Sequence, residues 1–101
     1  MSWRTVTTQL DLLPTSAGGR STAVLSGYRS LLRFVESTTD FGFELELDTI
    51  TNPNGIAPGS SGSGRISFWA AEQLPHLFQG QRFEIREGQR VVGHGFIVDP
   101  G

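Results

Sequence analysis

Arg20 follows Gly18 and Gly19, and a guanidinium carried on a glycine turn is suited to clamping a phosphate through two parallel N–H donors. The plainer alternative is a solvated turn arginine or a surface ion pair. Arg82, Glu84, Arg86 and Glu87 cluster near a second glycine turn. Their alternating signs fit cross-strand or turn ion pairs better than ligand contacts. His76 and His94 are isolated, and two lone histidines give no metal-ligand spacing. No cysteine is present, which removes disulfides, thiol catalysis and sulfur-ligated metals. Serine is scattered, so no Ser/His/Asp nucleophile arrangement follows from spacing. The run Gly59-Ser60-Ser61-Gly62-Ser63-Gly64 lacks the lysine that follows a phosphate-cradling P-loop. Composition and spacing alone therefore give a small soluble β domain and name no chemistry beyond an anion contact at Arg20, with the solvated or ion-paired arginine standing beside it. No enzyme, metal or cofactor is expected.

The elements that must position Arg20 are strands. Residues 80–98 read as a β-hairpin that organises the chain. Phe83 and Ile85 alternate with Arg82, Glu84 and Arg86, Glu87-Gly88-Gln89 turns, and Val92, Phe96 and Val98 return on one parity. His94 shares that parity and is expected to be partly buried. Residues 3–13 form a first strand whose imperfect alternation predicts a bulge or a change of face. Pro14 ends it. Residues 21–25 read as extended, and residues 28–35 as a strand with Arg29 and Arg33 on one parity. Residues 41–50 alternate most cleanly, with Phe41, Phe43, Leu45 and Leu47 opposite Glu44, Glu46 and Asp48. That acidic outer face is expected to repel a phosphate backbone. Residues 59–64 read as a floppy Ser/Gly loop, residues 65–70 as a strand, and residues 72–78 as a connection around Pro75 with room for one helical turn.

At 101 residues the chain is one domain, long enough for a core without metal or disulfides. All eight basic residues are arginine, and the net charge is −2. That balance counts against a strong grip on DNA or any phosphate backbone, while leaving room for a local arginine patch. With no signal-like or membrane-spanning apolar run, the expected compartment is the cytoplasm and no membrane contact is expected.

The blocks Gly18-Gly19-Arg20-Ser21-Thr22, Gly27-Tyr28-Arg29, Pro58-Gly59 and the closing run from Arg82 through Arg86-Glu87-Gly88 and Arg90 to Gly93 and Gly95 occur in the same order as in the C-terminal, third domain of bacterial elongation factor Tu. The chain resembles that domain over nearly its whole length, the last block being the specific part. The resemblance implies an all-β fold, a six-stranded antiparallel closed β-barrel spanning residues 1–101. It also implies a domain without a catalytic role, which in the family packs on other domains and contacts tRNA backbone. Carried over by motif, Arg20, Ser21, Thr22, Arg29, Arg90, Gly93 and Gly95 become RNA-contact candidates. Ser21 stands where the family has histidine, Ala23 where it has proline, Gln89 where it has glycine and His94 where it has alanine. Tyr28, Phe34, Trp69 and Phe78 become candidates for an apolar docking face, since one side of the family's barrel packs on neighbours.

No P-loop, Mg²⁺-binding or guanine-reading motif occurs, so GTP binding by this chain is not expected. The altered loop and the acidic balance lead to the expectation of a diverged stand-alone protein. Two readings follow. One is a non-enzymatic module that binds a protein partner or itself. The other is a translation accessory that contacts tRNA weakly through Arg20 and Arg90.

Overall fold

Alternation builds the wall of this molecule. In the strand Asp40–Leu47 the residues Phe41, Phe43, Leu45 and Leu47 are all buried, and Gly42, Glu44 and Glu46 point away from them. The same rule makes strands of Arg4–Leu12, Arg29–Phe34, Ser61–Phe68, Arg82–Glu87 and Arg90–Asp99. In chain order these are β1 (Arg4–Leu12), β2 (Arg29–Phe34), β3 (Asp40–Leu47), β4 (Ser61–Phe68), β5 (Arg82–Glu87) and β6 (Arg90–Asp99). A computed structural model describes residues 3–101 and closes the six into a barrel in the order β1-β4-β3-β2-β5-β6, every neighbouring pair antiparallel. Closure leaves no strand edge open for pairing with another chain.

Phe43, Phe68 and Phe83 are the largest side chains of the interior, and Phe34 joins Phe41, Phe68 and Phe83 in a cluster of tilted and edge-on rings. Among the described residues Thr8 is the one fully buried hydroxyl, and it donates to the Gly64 carbonyl at 2.9 Å, so its burial leaves that hydroxyl matched.

Two register shifts shape the wall. One lies in the β1–β6 ladder, where Thr7 pairs with Asp99 and Thr8 with Ile97, so the extra residue is Val98 on β6, while β1 keeps a clean alternation that corrects the bulge or change of face expected in it. The second lies between Ile85 and Arg86, where Ile85 pairs with Gly93 and Arg86 with Val91. Val92 is the extra residue of that bulge, and it reverses the parity of everything after it. Val92 and Ile97 are therefore buried, whereas Phe96 and Val98 are 39% and 40% exposed. This corrects the single parity expected for Val92, Phe96 and Val98. It also corrects His94, which shares the outward face of Phe96 and is exposed.

The Ser/Gly run is not a floppy loop. Ser61, Gly62, Ser63 and Gly64 open β4 and pair with Asp11, Leu10, Gln9 and Thr8. The glycines are there for space: a Cβ on Gly62 would lie 2.8 Å from Ile56, and one on Gly64 would lie 2.6 Å from Leu45. Tertiary packing thus overrides a local composition that favours loop. Residues 21–25 show the reverse. Only Val24 pairs, in an isolated bridge to Ile56, and the rest is irregular. The connection before β5 carries its one turn of 3₁₀ helix at Ala71–Gln73.

The barrel has two poles. One holds the β5–β6 turn with the loops before β2 and β4, sealed by Val24 and Ile56. The other is sealed by Leu77 from the β4–β5 connection, with Leu74 packed beside it.

Candidate functional site

At the first pole the chain turns through Gly18, which takes a left-handed φ of 89°. The Thr15 hydroxyl then donates to the Arg20 carbonyl at 2.6 Å, fixing where the Arg20 side chain departs. That side chain is already occupied. One terminal nitrogen is ion-paired to the Glu87 carboxylate, Nε donates to the Thr22 carbonyl at 3.3 Å, and the other terminal nitrogen donates to the Thr22 hydroxyl at 3.1 Å. The guanidinium also lies over the Tyr28 ring, 4.8 Å from its centre. The Tyr28 hydroxyl donates to the same Glu87 oxygen at 2.6 Å, and Arg90 stands 3.8 Å from the other. Glu87 thus sits where an incoming phosphate would have to sit.

The electrostatics agree with this geometry. Burial by itself pushes the Glu87 carboxyl up, but the Tyr28 hydroxyl and Arg20 outweigh it and hold the group below the usual glutamate range. Burial, and then the bond to Glu87, push the Tyr28 phenol up to about 12.

Of the RNA-contact candidates, Arg20, Thr22 and Arg90 gather around Glu87. Ser21 is exposed beside them. Arg29 faces the other neighbour of β2 and pairs with Glu44 at 2.7 Å. Gly93 and Gly95 are buried, and each meets the backbone of β1. A Cβ on Gly95 would lie 2.5 Å from the Gln9 carbonyl and 2.6 Å from the Phe83 ring. Their lack of a side chain is accounted for by that packing.

Of the acidic residues expected on the outer face of β3, Glu44 and Glu46 are neutralised, while Asp48 accepts from the Ile50 N–H and has no ion pair among the described residues. Glu44 pairs with Arg29, Glu46 with Arg65, and Asp40 with Arg33 at 2.7 Å. The hydrogen bond from Arg33 holds the Asp40 carboxyl low. Arg86 pairs with Glu84 at 3.0 Å, the kind of ion pair expected there, and donates to the Gln89 carbonyl at 3.1 Å, anchoring the β5–β6 turn. Its Nε is buried without a partner among the described residues. Arg4 donates to the Pro100 carbonyl at 2.6 Å. Arg82 is left: it is exposed, and its guanidinium has no hydrogen bond or ion pair among the described residues.

The four docking candidates do not form one face. Tyr28 belongs to the Glu87 pole. Phe34 is only 2% exposed and lies in the core, because its parity on β2 turns it inward. Trp69 is half-buried. It lies across Gly42, where any Cβ would collide with its ring, and it meets Trp3 edge-on at 6.2 Å. Phe78 is 42% exposed, with His76 stacked on it at 6.3 Å.

The Leu77 pole carries apolar residues that sequence patterning missed. Phe34 pairs with Phe83 and Arg82 with Phe96, and the Val35 N–H donates to the Arg82 carbonyl at 3.1 Å. Val35, Arg82 and Phe96 therefore form one row across the outer face of three strands. Val98 follows Phe96 two positions on, with the same outward parity. The turn bearing Phe78 is tied alongside, since the Gly80 N–H donates to the Ile97 carbonyl and the Ile97 N–H to the Gln81 carbonyl. Val35 shares the parity of Arg29 and Arg33, the signal in the sequence that could have placed it outward. Phe96 and Val98 carry no such signal, because the bulge at Val92 reverses their parity.

Among the described residues no group of three or more histidines, aspartates or glutamates is placed to hold a metal ion. No protein-family model matches the chain. What the architecture establishes is a closed six-stranded antiparallel barrel, a scaffold compatible with an interaction module.

Proposed function

We propose that this barrel is a non-enzymatic binding module, related to the C-terminal domain of elongation factor Tu, that works by protein association. The observation carrying this reading is the apolar surface around Arg82 at the Leu77 pole. Val35 is 64% exposed there, with Phe78, Phe96 and Val98 close to 40%. Apolar side chains grouped in this way on a small domain mark a contact surface. Seven arginines, meanwhile, are already engaged within the protein: Arg4, Arg20, Arg29, Arg33, Arg65, Arg86 and Arg90. The net charge of −2 supplies no general attraction for a polyanion.

A second reading is an accessory that touches tRNA backbone. The observation favouring it is that Arg20 and Arg90 converge on Glu87. A phosphate would have to displace that carboxylate. The discriminating experiment is a titration with deacylated tRNA at low and physiological salt, followed by light scattering. Protein association as the working activity predicts no stable tRNA complex. A salt-sensitive complex whose slope falls by about one unit in Arg20→Ala would overturn it in favour of the RNA reading.

A further inference from the structure

We propose that the outer face of β2, β5 and β6 at the Leu77 pole binds a second copy of this chain, Arg82 of one protomer meeting Glu36 of the other. The proposal rests on the protein-association reading and names the partner.

Two charges of opposite sign accompany the apolar row. Arg82 lies between Val35 and Phe96 with no anionic partner among the described residues. Glu36 follows Val35 in the β2–β3 turn and is exposed, also with no cationic partner among them. The patch therefore carries apolar side chains, one uncommitted cation and one uncommitted anion. A partner of a single charge sign would satisfy one of these and repel the other. A two-fold contact satisfies both, because each residue of such an interface meets its counterpart's complement twice. The two charges would sit beside Val35 and Phe96, where approach of another barrel excludes water and raises the value of a matched pair over an exposed one. Among the carboxylates of β5 and β6, Glu84 is already held by Arg86, Glu87 by Arg20, and Asp99 accepts from the Gly101 N–H at 3.0 Å, which leaves Glu36 as the anion for an intermolecular contact with Arg82.

Nothing in the barrel wall obstructs the approach. The strands are paired on both sides, so the contact is made by side chains and needs no opening of the sheet. Val98 follows Phe96 on β6, and Phe78 lies on the turn hydrogen-bonded to Ile97, so both add exposed apolar side chains at this end of the barrel.

The test is light-scattering mass across a wide protein concentration range for the full chain and four variants. The expected result is a mass that rises toward twice the monomer with concentration. Phe96→Ser, Arg82→Glu and Glu36→Arg should each shift the midpoint at least tenfold toward higher concentration, and the double exchange Arg82→Glu with Glu36→Arg should restore it. All three positions are exposed, and thermal unfolding of each variant verifies that the barrel is intact. A mass that stays monomeric throughout overturns the proposal. A dimer indifferent to Phe96→Ser overturns the surface, and a dimer that the double exchange fails to restore overturns the pairing. The parent reading fails separately: it falls if tRNA forms a salt-sensitive complex lost in Arg20→Ala. A monomer silent toward tRNA removes only the second copy as partner.

Discussion

The Glu87 pole and the Leu77 pole close the same barrel with opposite surfaces. At the first, a carboxylate on β5 gathers Arg20, Tyr28 and Arg90, so the residues best suited to grip an anion already hold one. At the second, Leu77 seals the interior, but Val35, Phe78, Phe96 and Val98 stay in contact with water around an arginine with no partner among the described residues. The difference teaches how to weigh an arginine. Its worth as a binding group depends on what it is already bonded to, and Arg82, which was no contact candidate in the sequence, is freer than Arg20, which was.

The largest expected effect separates the core from the surface at the Leu77 pole. Phe34→Ala should cost about 3–5 kcal/mol of stability, because it empties part of a fully packed aromatic cluster. Phe78→Ala should stay within about 0.5–1 kcal/mol. Denaturant unfolding of the two variants checks this, and equal costs would mean that Phe34 is not a core residue. Next comes Gly95→Ala, expected to cost about 1–3 kcal/mol, because its Cβ would press on the Gln9 carbonyl and the Phe83 ring. A neutral result in the same assay would reopen a role for Gly95 beyond packing.

A smaller effect probes the Glu87 pole. Arg20→Ala should cost about 1–2 kcal/mol, since it removes a charged partner from a partly buried carboxylate. The folded state holds Glu87 and Asp40 below their usual range. Their contribution is therefore present above that range and lost as pH falls through the lower folded values. Stability measured from neutral to acid pH should decline there, and less steeply in Glu87→Gln. Tyr28 titrates with the opposite consequence. Its phenol is raised from 10 to about 12, so the unfolded chain releases that proton first and stability falls as pH rises from 10 toward 12. Tyr28 is the chain's one tyrosine, and ultraviolet absorption of its phenolate reads the midpoint directly. A midpoint near 10 would dissolve the Arg20–Tyr28–Glu87 clasp. Smallest of all, Phe96→Ser should leave stability within about 0.5 kcal/mol while weakening self-association.

Most of the wall was legible in the sequence because alternation is local. β3 with its four inward apolar residues and the hairpin turn at Gly88 follow from residues within a few positions of each other. The clasp was not legible, since Arg20 and Glu87 lie 67 positions apart and only the closed barrel brings them together. Nor was the apolar row, because one extra residue at Val92 turns Phe96 and Val98 outward against their apparent parity. The start of β4 was hidden for a further reason. Its glycines are needed for the side chains of Ile56 and Leu45, which arrive from elsewhere in the fold.

The central claim is that the Leu77 pole meets a partner while the Glu87 pole is an internal clasp. Amide NMR spectra over a dilution series, followed by excess deacylated tRNA, test it most directly. The account predicts concentration-dependent shifts at Val35, Glu36, Phe78, Arg82, Phe96 and Val98, with Arg20, Thr22, Gly88 and Arg90 unmoved throughout. Shifts confined to the second set, above all on adding tRNA, would contradict it and make the clasp the working surface.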